Sequence, residues 1–360
     1  MHSRSNSLEA KTPATGPGLP DSAAGLVPAL FGHAAFQHLN AACELGLHEL
    51  LHECPDLTAG EIAERLALGE RAVGILVLGT TALNLTIRAG DRYRNEAVIE
   101  DLFGSGSWEI FRNLVEFEAR IAYLSHSDYV ESLRSGTNAG LRWFPGTEPD
   151  LYHRLENTPA LMEVFYRCMN SWSRVANSIL TRSDWFDGCH HVLDVGGGEG
   201  VNALALARAF PALTITILDL EGVVAIARRS VDQTGLGQRI RTVAGDMFTG
   251  SYPKGCDCVL LANQIVIWSA ADNRRLMDRA YEALPFGGRL VIFNEFINDT
   301  LDGPLYAALD NVYFATLPTP HSQIYPARDC VAWAQAAGFR QAGWFPGHSW
   351  TPHGAVVAVK

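Results

Sequence analysis

The chain of 360 residues carries 28 lysines and arginines against 39 aspartates and glutamates, a formal charge of −11 with neutral histidines. This acidic balance argues against a main role in binding nucleic acid or an anionic membrane, because such surfaces are held through many Lys and Arg contacts. Hydrophobic residues make up 48% and charged residues 19%, a composition that excludes general disorder. The length suggests about two domains.

The chain shows no sign of membrane insertion or export. No apolar run reaches the roughly 20 residues that cross a bilayer. Residues 1–24, rich in Ser, Pro, Gly and Ala, lack the apolar middle of a secretory signal and are predicted to be a disordered tail. The seven cysteines form no CxxC pair, which is typical of reduced thiols and predicts no zinc site. We therefore expect a cytoplasmic protein.

Residues 25–104 are predicted to form a winged-helix-like domain. Apolar residues recur at helical spacing, Thr58 precedes Glu61 at the spacing of a capping box, and Gly90 and Asp91 mark a short hairpin. The helix that would read DNA, residues 70–85, is mostly apolar. This favours a dimerisation or substrate-lid module over a DNA-binding regulator.

Two further blocks follow. Residues 105–185 are helical and rich in aromatic side chains, and we predict a connector that lines a substrate pocket. From 186 to 360, continuously apolar runs alternate with amphipathic stretches, which is typical of a doubly wound α/β domain with a mostly parallel sheet. The seven predicted strands are 191–195, 213–220, 240–245, 256–263, 289–296, 339–345 and 354–360.

A glycine-rich loop joins the first of these strands to the next helix. It reads Asp-Val-Gly-Gly-Gly-Glu-Gly over residues 194–200, and glycine allows a backbone to bend tightly against a ligand. The spacing is D-x-G-x-G-x-G, whereas a dinucleotide loop would read GxGxxG. The pattern therefore favours a smaller nucleoside ligand.

Two acids follow at the ends of later strands. Asp219 ends the second strand, 21 residues after Gly198, where a carboxylate can accept hydrogen bonds from ribose hydroxyls. Asp246 ends the third strand and can accept a hydrogen bond from an adenine amino group, with Met247 or Phe248 covering the ring.

With these motifs the chain resembles the class I S-adenosylmethionine-dependent methyltransferases of the caffeate-type and bacterial small-molecule O-methyltransferase family. The resemblance covers most of the chain and rests on the segments VFYRCMNSWS (164–173), LDVGGGEG, LDLEGV, GDMF and LPFGGRLVI. It implies S-adenosylmethionine as cofactor, a seven-stranded Rossmann-like methyltransferase domain, and a homodimer formed through the N-terminal domain.

The resemblance and the loop positions together give a set of expected binding residues. The predicted cofactor-binding residues are Asp194, Gly196, Gly198, Gly200, Asp219, Leu220, Asp246, Met247, Phe248 and Ser173. The predicted substrate-binding residues are Met169, Asn263, Gln264, Tyr313 and Tyr325.

The chain departs from this family at the catalytic base. The family's His lies in an HDW stretch, and the matching residues here are Val266, Ile267 and Trp268, so the base and a possible metal ligand are both missing. Of the two carboxylates that orient that His, one is kept as Glu295 and the other falls at Ile324. Any base must come from elsewhere, and we predict Glu295 and His321 as the catalytic candidates, with Asp310 also in the region where such sheets bind substrate.

An unactivated alcohol needs a base. An amine, a thiolate, a carbon ortho to a phenol or an acidic enol needs less help, and proximity alone can drive much of an SN2 methyl transfer. We therefore expect methylation of N, C or an acidic O in a small aromatic or cyclic metabolite of bacterial secondary metabolism. The alternative is a relative that binds the cofactor but catalyses rearrangement, cyclisation or hydroxylation.

Overall fold

The computed structural model describes residues 19–182, 184–347 and 349–360. The chain divides into two compact units, the first ending at Trp108 and the second beginning at Glu109. Most of the predicted tail lies outside the described residues. Its last part is not disordered as predicted, because Asp21–Leu26 forms a 3₁₀ helix.

The first unit consists of helices and a small antiparallel sheet. Its helices are α1 (Val27–Leu30), α2 (Gly32–Glu44), α3 (Leu47–Glu53), α4 (Ala59–Arg65), α5 (Glu70–Ala82) and α6 (Ala97–Gly104). Its strands are β1 (Leu57–Thr58), β2 (Thr86–Ala89) and β3 (Arg92–Asn95), in the order β1-β3-β2. The predicted hairpin at Gly90 and Asp91 joins β2 to β3. Helices with one hairpin wing match the predicted winged-helix outline.

The capping box lies where the sequence places it, at the start of α4. The Thr58 side chain accepts a hydrogen bond from the Glu61 backbone N–H, and the Glu61 carboxylate accepts one from the Thr58 N–H at 2.7 Å. Leu57 and Thr58 themselves pair with β3. The helix therefore starts at Ala59, because the two residues before it are used as strand.

The chain passes into the second unit within α7 (Trp108–Phe117). A π-helical segment, Glu118–Ala122, follows directly. The next helices are α8 (Tyr123–Ser125), α9 (Tyr129–Ser135), α10 (Leu151–Leu155) and the long α11 (Pro159–Leu180), with 3₁₀ turns at His126–Asp128, Ala139–Trp143 and Asp184–Phe186. These helices share an aromatic-rich core, in which Phe117, Phe165 and Phe314 are buried.

A seven-stranded sheet forms the centre of the second unit. Its strands are β4 (His191–Val195), β5 (Thr214–Asp219), β6 (Ile240–Ala244), β7 (Cys258–Ala262), β8 (Arg289–Glu295), β9 (Arg340–Pro346) and β10 (His353–Val359). The helices among them are α12 (Val201–Ala209), α13 (Glu221–Asp232), α14 (Ala270–Ala283), α15 (Leu305–Thr316) and α16 (Ala327–Ala336). All seven strands were predicted within about two residues. The central strands β4, β7 and β8 are near-continuous apolar runs, as is typical of strands buried on both faces.

The strand order is β6-β5-β4-β7-β8-β10-β9. The five strands from β6 to β8 in this order pair in parallel, and β10 is antiparallel to both of its neighbours, β8 and β9. The direction of winding reverses between β4 and β7, and open α/β sheets bind ligands beyond the carboxyl ends of their strands at such a point. The doubly wound fold is confirmed. Within the described residues, no helix is both long and apolar enough to span a bilayer.

Candidate active site

A cavity of about 460 Å³ opens beyond the carboxyl ends of β4, β5, β7 and β8. One end is lined by the glycine loop and by the strand-end acids Asp219 and Asp246. The other end is lined by side chains from the helices, among them Phe117, Phe165 and Tyr313. We call these the nucleoside end and the acceptor end.

The glycine loop brings its backbone to the cavity at two residues with left-handed conformations. Gly196 has φ +69° and Gly198 has φ +58°. A Cβ added to Gly198 would meet no atom within 4 Å, so the space beside it is open to a ligand. The side chain of Gln264, which also lines the cavity, donates to the Gly196 carbonyl at 2.8 Å. This bond fixes the loop at Gly196, while the space beside Gly198 stays free for a ligand.

Asp219 is oriented by two backbone donors. The Gly198 N–H donates to one carboxylate oxygen at 2.8 Å and the Leu220 N–H donates to the other at 2.7 Å. Burial raises the pKa of Asp219, and the two N–H donors oppose that rise. A carboxylate fixed in this way keeps lone pairs for two neighbouring ribose hydroxyls.

A second acid and two side chains with apolar surfaces form a slot at the same end. Asp246 accepts hydrogen bonds from the Phe248 N–H at 2.8 Å and the Thr249 hydroxyl at 3.0 Å. The Phe248 ring meets Trp268 edge-on, with centroids 5.0 Å apart. Met247 also lines the slot, so a flat base between these side chains would have a carboxylate at its edge.

Aromatic rings that contact one another form the walls of the acceptor end. Phe117 meets Tyr313 edge-on at 5.4 Å, Tyr152 meets Phe165 at 5.6 Å, and Trp172 meets Tyr306 at 5.7 Å. Such mutual contacts fix ring orientation. The walls suit a flat aromatic acceptor.

Two carboxyl groups lie side by side at the acceptor end. Glu295 ends β8 and is buried, and its side chain hydrogen-bonds that of Asp310 from α15. Burial raises the pKa of both groups, that of Asp310 to about 6 and that of Glu295 well above its usual range. Two adjacent carboxyls cannot both ionise easily, so the pair favours a state in which one member keeps a proton, and the larger rise at Glu295 favours Glu295 as that member.

The family's base position is apolar in the structure as well as in the sequence. Val266 is 3% exposed and Ile324 is 2% exposed, and both belong to one buried cluster. The Gln323 N–H donates to the Val266 carbonyl at 3.0 Å, which holds the two segments together. The side chains of Val266 and Ile324 cannot accept a proton, whereas the carboxyl pair of Glu295 and Asp310 can.

The structure brings most of the predicted site residues to this cavity. The predicted residues that line it are Gly196, Gly198, Asp219, Leu220, Asp246, Met247, Phe248, Ser173, Met169, Asn263, Gln264, Tyr313 and Glu295.

Four predicted residues lie elsewhere, and these expectations are corrected. His321 is exposed in a loop, with φ +71°, and Tyr325 packs against Trp333 and donates its hydroxyl to the Trp268 carbonyl. Asp194 and Gly200 belong to the loop but do not line the cavity.

Asp194 lies beneath the glycine loop. It is fully buried, and its oxygens have no donor among the described residues. Burial and the charge of Asp219 raise its pKa to about 7. Its carboxyl lies against the loop backbone at Gly197 and is not among the groups that line the cavity.

Three polar residues at the acceptor end were not predicted. Glu118 begins the π-helical segment, Asn294 precedes Glu295 on β8, and His353 faces Glu295 from β10. No motif marks them, although the strand-end position of Asn294 is a signal that could have been used. Burial lowers the pKa of His353 to about 4, so this imidazole is neutral at physiological pH.

The described part of the chain offers no set of side chains for binding a catalytic metal ion. Among the described residues, no group of three or more His, Cys, Asp or Glu side chains is placed to hold a metal ion.

A sheet of this topology with a nucleoside-sized glycine loop and acids after β5 and β6 defines a class I S-adenosylmethionine-dependent methyltransferase. The sequence profile of the O-methyltransferase domain matches residues 131–340, and the chain belongs to this family. S-adenosylmethionine is its cofactor, as the sequence predicts. The open space beside Gly198 and the two anchored oxygens of Asp219 fit the sugar of that molecule.

Several relatives and solved structures are similar to the chain. It is 42% identical to an L-tyrosine C(3)-methyltransferase of Streptomyces lavendulae over 99% of this chain and 98% of the relative. It is 31% identical to a 3-hydroxy-5-methyl-1-naphthoate 3-O-methyltransferase of Streptomyces sahachiroi, covering 90% and 91%. The apo structure of the S-adenosylmethionine-dependent methyltransferase SibL superimposes with a TM-score of 0.87 at 52% identity, covering 94% of this chain and 99% of SibL.

Proposed function

We propose that the protein methylates a ring carbon ortho to a phenolic hydroxyl in a small aromatic metabolite of bacterial secondary metabolism. The observation that carries this proposal is the Glu295–Asp310 pair, a proton-accepting group at the aromatic end of the cavity. The position of the family's catalytic His is apolar here. The proton-accepting group therefore lies at a different place from the histidine that activates a hydroxyl nucleophile in the family.

The chemistry needs a base of this kind. S-adenosylmethionine supplies a methyl group on a sulfonium, whose C–S electron pair stays with sulfur when the methyl leaves. Asp310, as the ionised member of the pair, accepts the phenolic proton, and the electron density gained at the ortho carbon forms the new C–C bond. As the ring re-forms, the oxygen regains the proton held by Asp310, and the freed Asp310 carboxylate accepts the proton lost from the methylated carbon; that one proton then leaves to solvent.

The protein's other contribution is placement. The edge-to-face ring contacts of Phe117, Tyr313 and Tyr306 hold a flat acceptor in one plane. Holding the reacting atoms in line can lower the activation barrier by roughly 7–11 kcal/mol at best. A phenolate carbon combined with placement therefore requires no histidine beside the methyl group.

The relatives support transfer to carbon without excluding other atoms. The relative at 42% identity is named for ring-carbon methylation of L-tyrosine. Others are named for methylation of oxygen, or for dimethylation of nitrogen in the case of OxyT of Streptomyces rimosus at 30% identity. The apolar residues at 266 and 324 make this cavity a poor site for activating an alcohol.

At the nucleoside end the proposed contacts follow from the geometry above. Asp219 binds the ribose hydroxyls and Asp246 the adenine amino group, while Met247 and Phe248 cover the base. Gly196, Gly198 and Ser173 line the path of the methionyl part.

Deuterium at the ring positions ortho to the hydroxyl tests the methylated atom directly. With S-adenosylmethionine and a phenol deuterated at both ortho positions, such as L-tyrosine or tyramine, mass spectrometry should show a gain of one methyl and a loss of one deuterium. Retention of both deuteriums in a methylated product would place the methyl on N or O and overturn the proposal. A changed product without the methyl would support the non-methylating alternative, which no specific contact favours.

We also propose a homodimer formed through the first unit, in the cytoplasm. Leu26, Leu30 and Phe31 are each more than half exposed near the start of the described chain, and exposed apolar patches of this kind often mark interfaces. All seven cysteines are free thiols, which suits a reducing compartment. Light scattering of the full chain should give twice the monomer mass.

A further inference from the structure

Glu118 is a cavity carboxylate for which the structure provides no cation. It begins the π-helical segment Glu118–Ala122, directly after Phe117, and lines the acceptor end. Segments with π-helical geometry are frequent at functional sites, because the wider turn redirects a side chain. This widened turn places a carboxyl group in the aromatic part of the cavity, and burial together with the charge of Asp310 raises its pKa to about 7.

The arginines nearest in sequence are paired with a different glutamate. Arg120 and Arg167 donate to Glu116 at 2.9 and 2.7 Å. The Glu118 carbonyl accepts from the Tyr123 N–H, but the Glu118 side chain has no hydrogen bond or ion pair with another described residue. No lysine or arginine is among the described residues that line the cavity. Glu116 and Glu118, two residues apart, therefore differ sharply: one is neutralised by the protein and the other is left for a ligand.

Independent observations at the same end point to a polar ligand. Asn294 is 1% exposed, and neither its amide nitrogen nor its oxygen has a partner in the described chain. One oxygen of Glu295, which is 6% exposed, is also without a partner. Buried polar groups are normally hydrogen-bonded, so these atoms require a polar group on whatever fills the cavity.

We propose that the acceptor is a phenol bearing an ammonium group, and that Glu118 is the specificity-determining residue that binds this ammonium. The proposal rests on the proposed function for the phenol and adds the class of its side chain. The chemistry of this end supports it: the carboxyl groups of Glu118, Asp310 and Glu295 line the cavity together with aromatic rings. A cation beside buried carboxyl groups favours their ionised form, and ring faces also attract cations. A phenol carrying only a carboxylate would meet the same negative groups unfavourably.

The test compares two phenols that differ in the amine. Tyramine and 4-ethylphenol share the ring and the two-carbon substituent, and their affinities for the full-length protein with S-adenosylhomocysteine can be measured by calorimetry. The native protein should bind tyramine more tightly, and Glu118→Gln should weaken tyramine binding roughly 10- to 100-fold while leaving 4-ethylphenol unchanged. Glu118→Asp should restore part of the loss, and Glu131→Gln, which removes an exposed charge, serves as control.

Each outcome decides the matter. Equal native affinities for the two phenols, absent tyramine binding, or an equal effect of Glu118→Gln on both ligands would overturn the inference. If Glu118→Gln lowers kcat for 4-ethylphenol without changing its KM, Glu118 takes part in proton transfer and does not determine specificity. If tyramine binding depends on Glu118 but the product carries its methyl on O or N, the ammonium site stands and ring-carbon methylation fails.

Discussion

The two ends of the cavity are built by different means. At the nucleoside end, backbone groups and strand-end acids form the surface, and Asp219 is fixed by two N–H donors at 2.8 and 2.7 Å. At the acceptor end the surface consists of side chains on α7, α11 and α15, and the carboxyl pair has no backbone donor among the described contacts. The first end has its charge compensated by the fold, whereas the second keeps charge and unpaired polar atoms for its ligand.

This difference shows where chemistry can change without loss of the fold. Backbone contacts at the nucleoside end depend on chain geometry, so they tolerate few substitutions. Side chains at the acceptor end can be exchanged one at a time, because the rings, Glu118 and Asp310 come from helices that pack around the sheet, and of the carboxyl groups only Glu295 comes from a strand. Relatives named for transfer to carbon, oxygen and nitrogen agree with that division.

The largest expected effect is at the acceptor end. Asp310→Asn should lower kcat about 100-fold or more, because general-base catalysis typically contributes 10²–10⁴-fold. Glu295→Gln should cost only about 10-fold, since its amide still donates to Asp310. Binding of S-adenosylhomocysteine, followed by calorimetry, should stay as in the native protein for both variants.

The pH dependence of the same variants identifies the ionised group. The pKa of Asp310 lies at about 6, so kcat should fall as pH is lowered through 6 and the carboxylate is protonated. The pH profile of kcat for Asp310→Asn should lack this fall near pH 6. The profile of Asp278→Asn, which changes an exposed residue of α14, should keep it. An unchanged step in Asp310→Asn would assign the proton transfer to another group.

At the nucleoside end, Asp219→Ala should weaken binding of S-adenosylhomocysteine about 100-fold, because hydrogen bonds to a charged group contribute about 1.5–3 kcal/mol. The variant also removes the acceptor of the Gly198 and Leu220 N–H groups. Calorimetry measures the loss, with Asp278→Ala as a control of equal chemistry outside the cavity. Native affinity in Asp219→Ala would show that the ribose lies elsewhere.

The smallest expected effect concerns the loop backbone. Gly196→Ala places a Cβ 2.5 Å from the Gln264 side chain at φ +69°, and a left-handed alanine costs about 1–2 kcal/mol. Cofactor affinity should fall roughly 5- to 30-fold. Gly74→Ala in α5 meets no atom within 4 Å and should stabilise the protein by up to about 1 kcal/mol in thermal unfolding. If both variants had the same cofactor affinity and the same thermal stability, glycine would not be required at position 196 of the loop.

The same division governs how much could be predicted from the sequence. Strands, loop and strand-end acids are encoded by neighbouring residues, so β4 to β10 and the positions of Asp219 and Asp246 followed from pattern alone. The acceptor end unites Glu118, Glu295 and Asp310 from three distant segments, and only Glu295 and Asp310 were near a recognisable motif. His321 was misjudged because loop residues near a site carry no sign of which way they face.

The joint burial of Val266 and Ile324 restricts how this cavity could change its acceptor. A histidine introduced at 266 alone would have only one of its two orienting carboxylates, Glu295, and a carboxylate introduced at 324 alone would be buried without a partner; a buried polar group that lacks its partners is destabilising. The two substitutions are coupled. A route from this enzyme to alcohol methylation therefore crosses a less stable intermediate, whichever position mutates first.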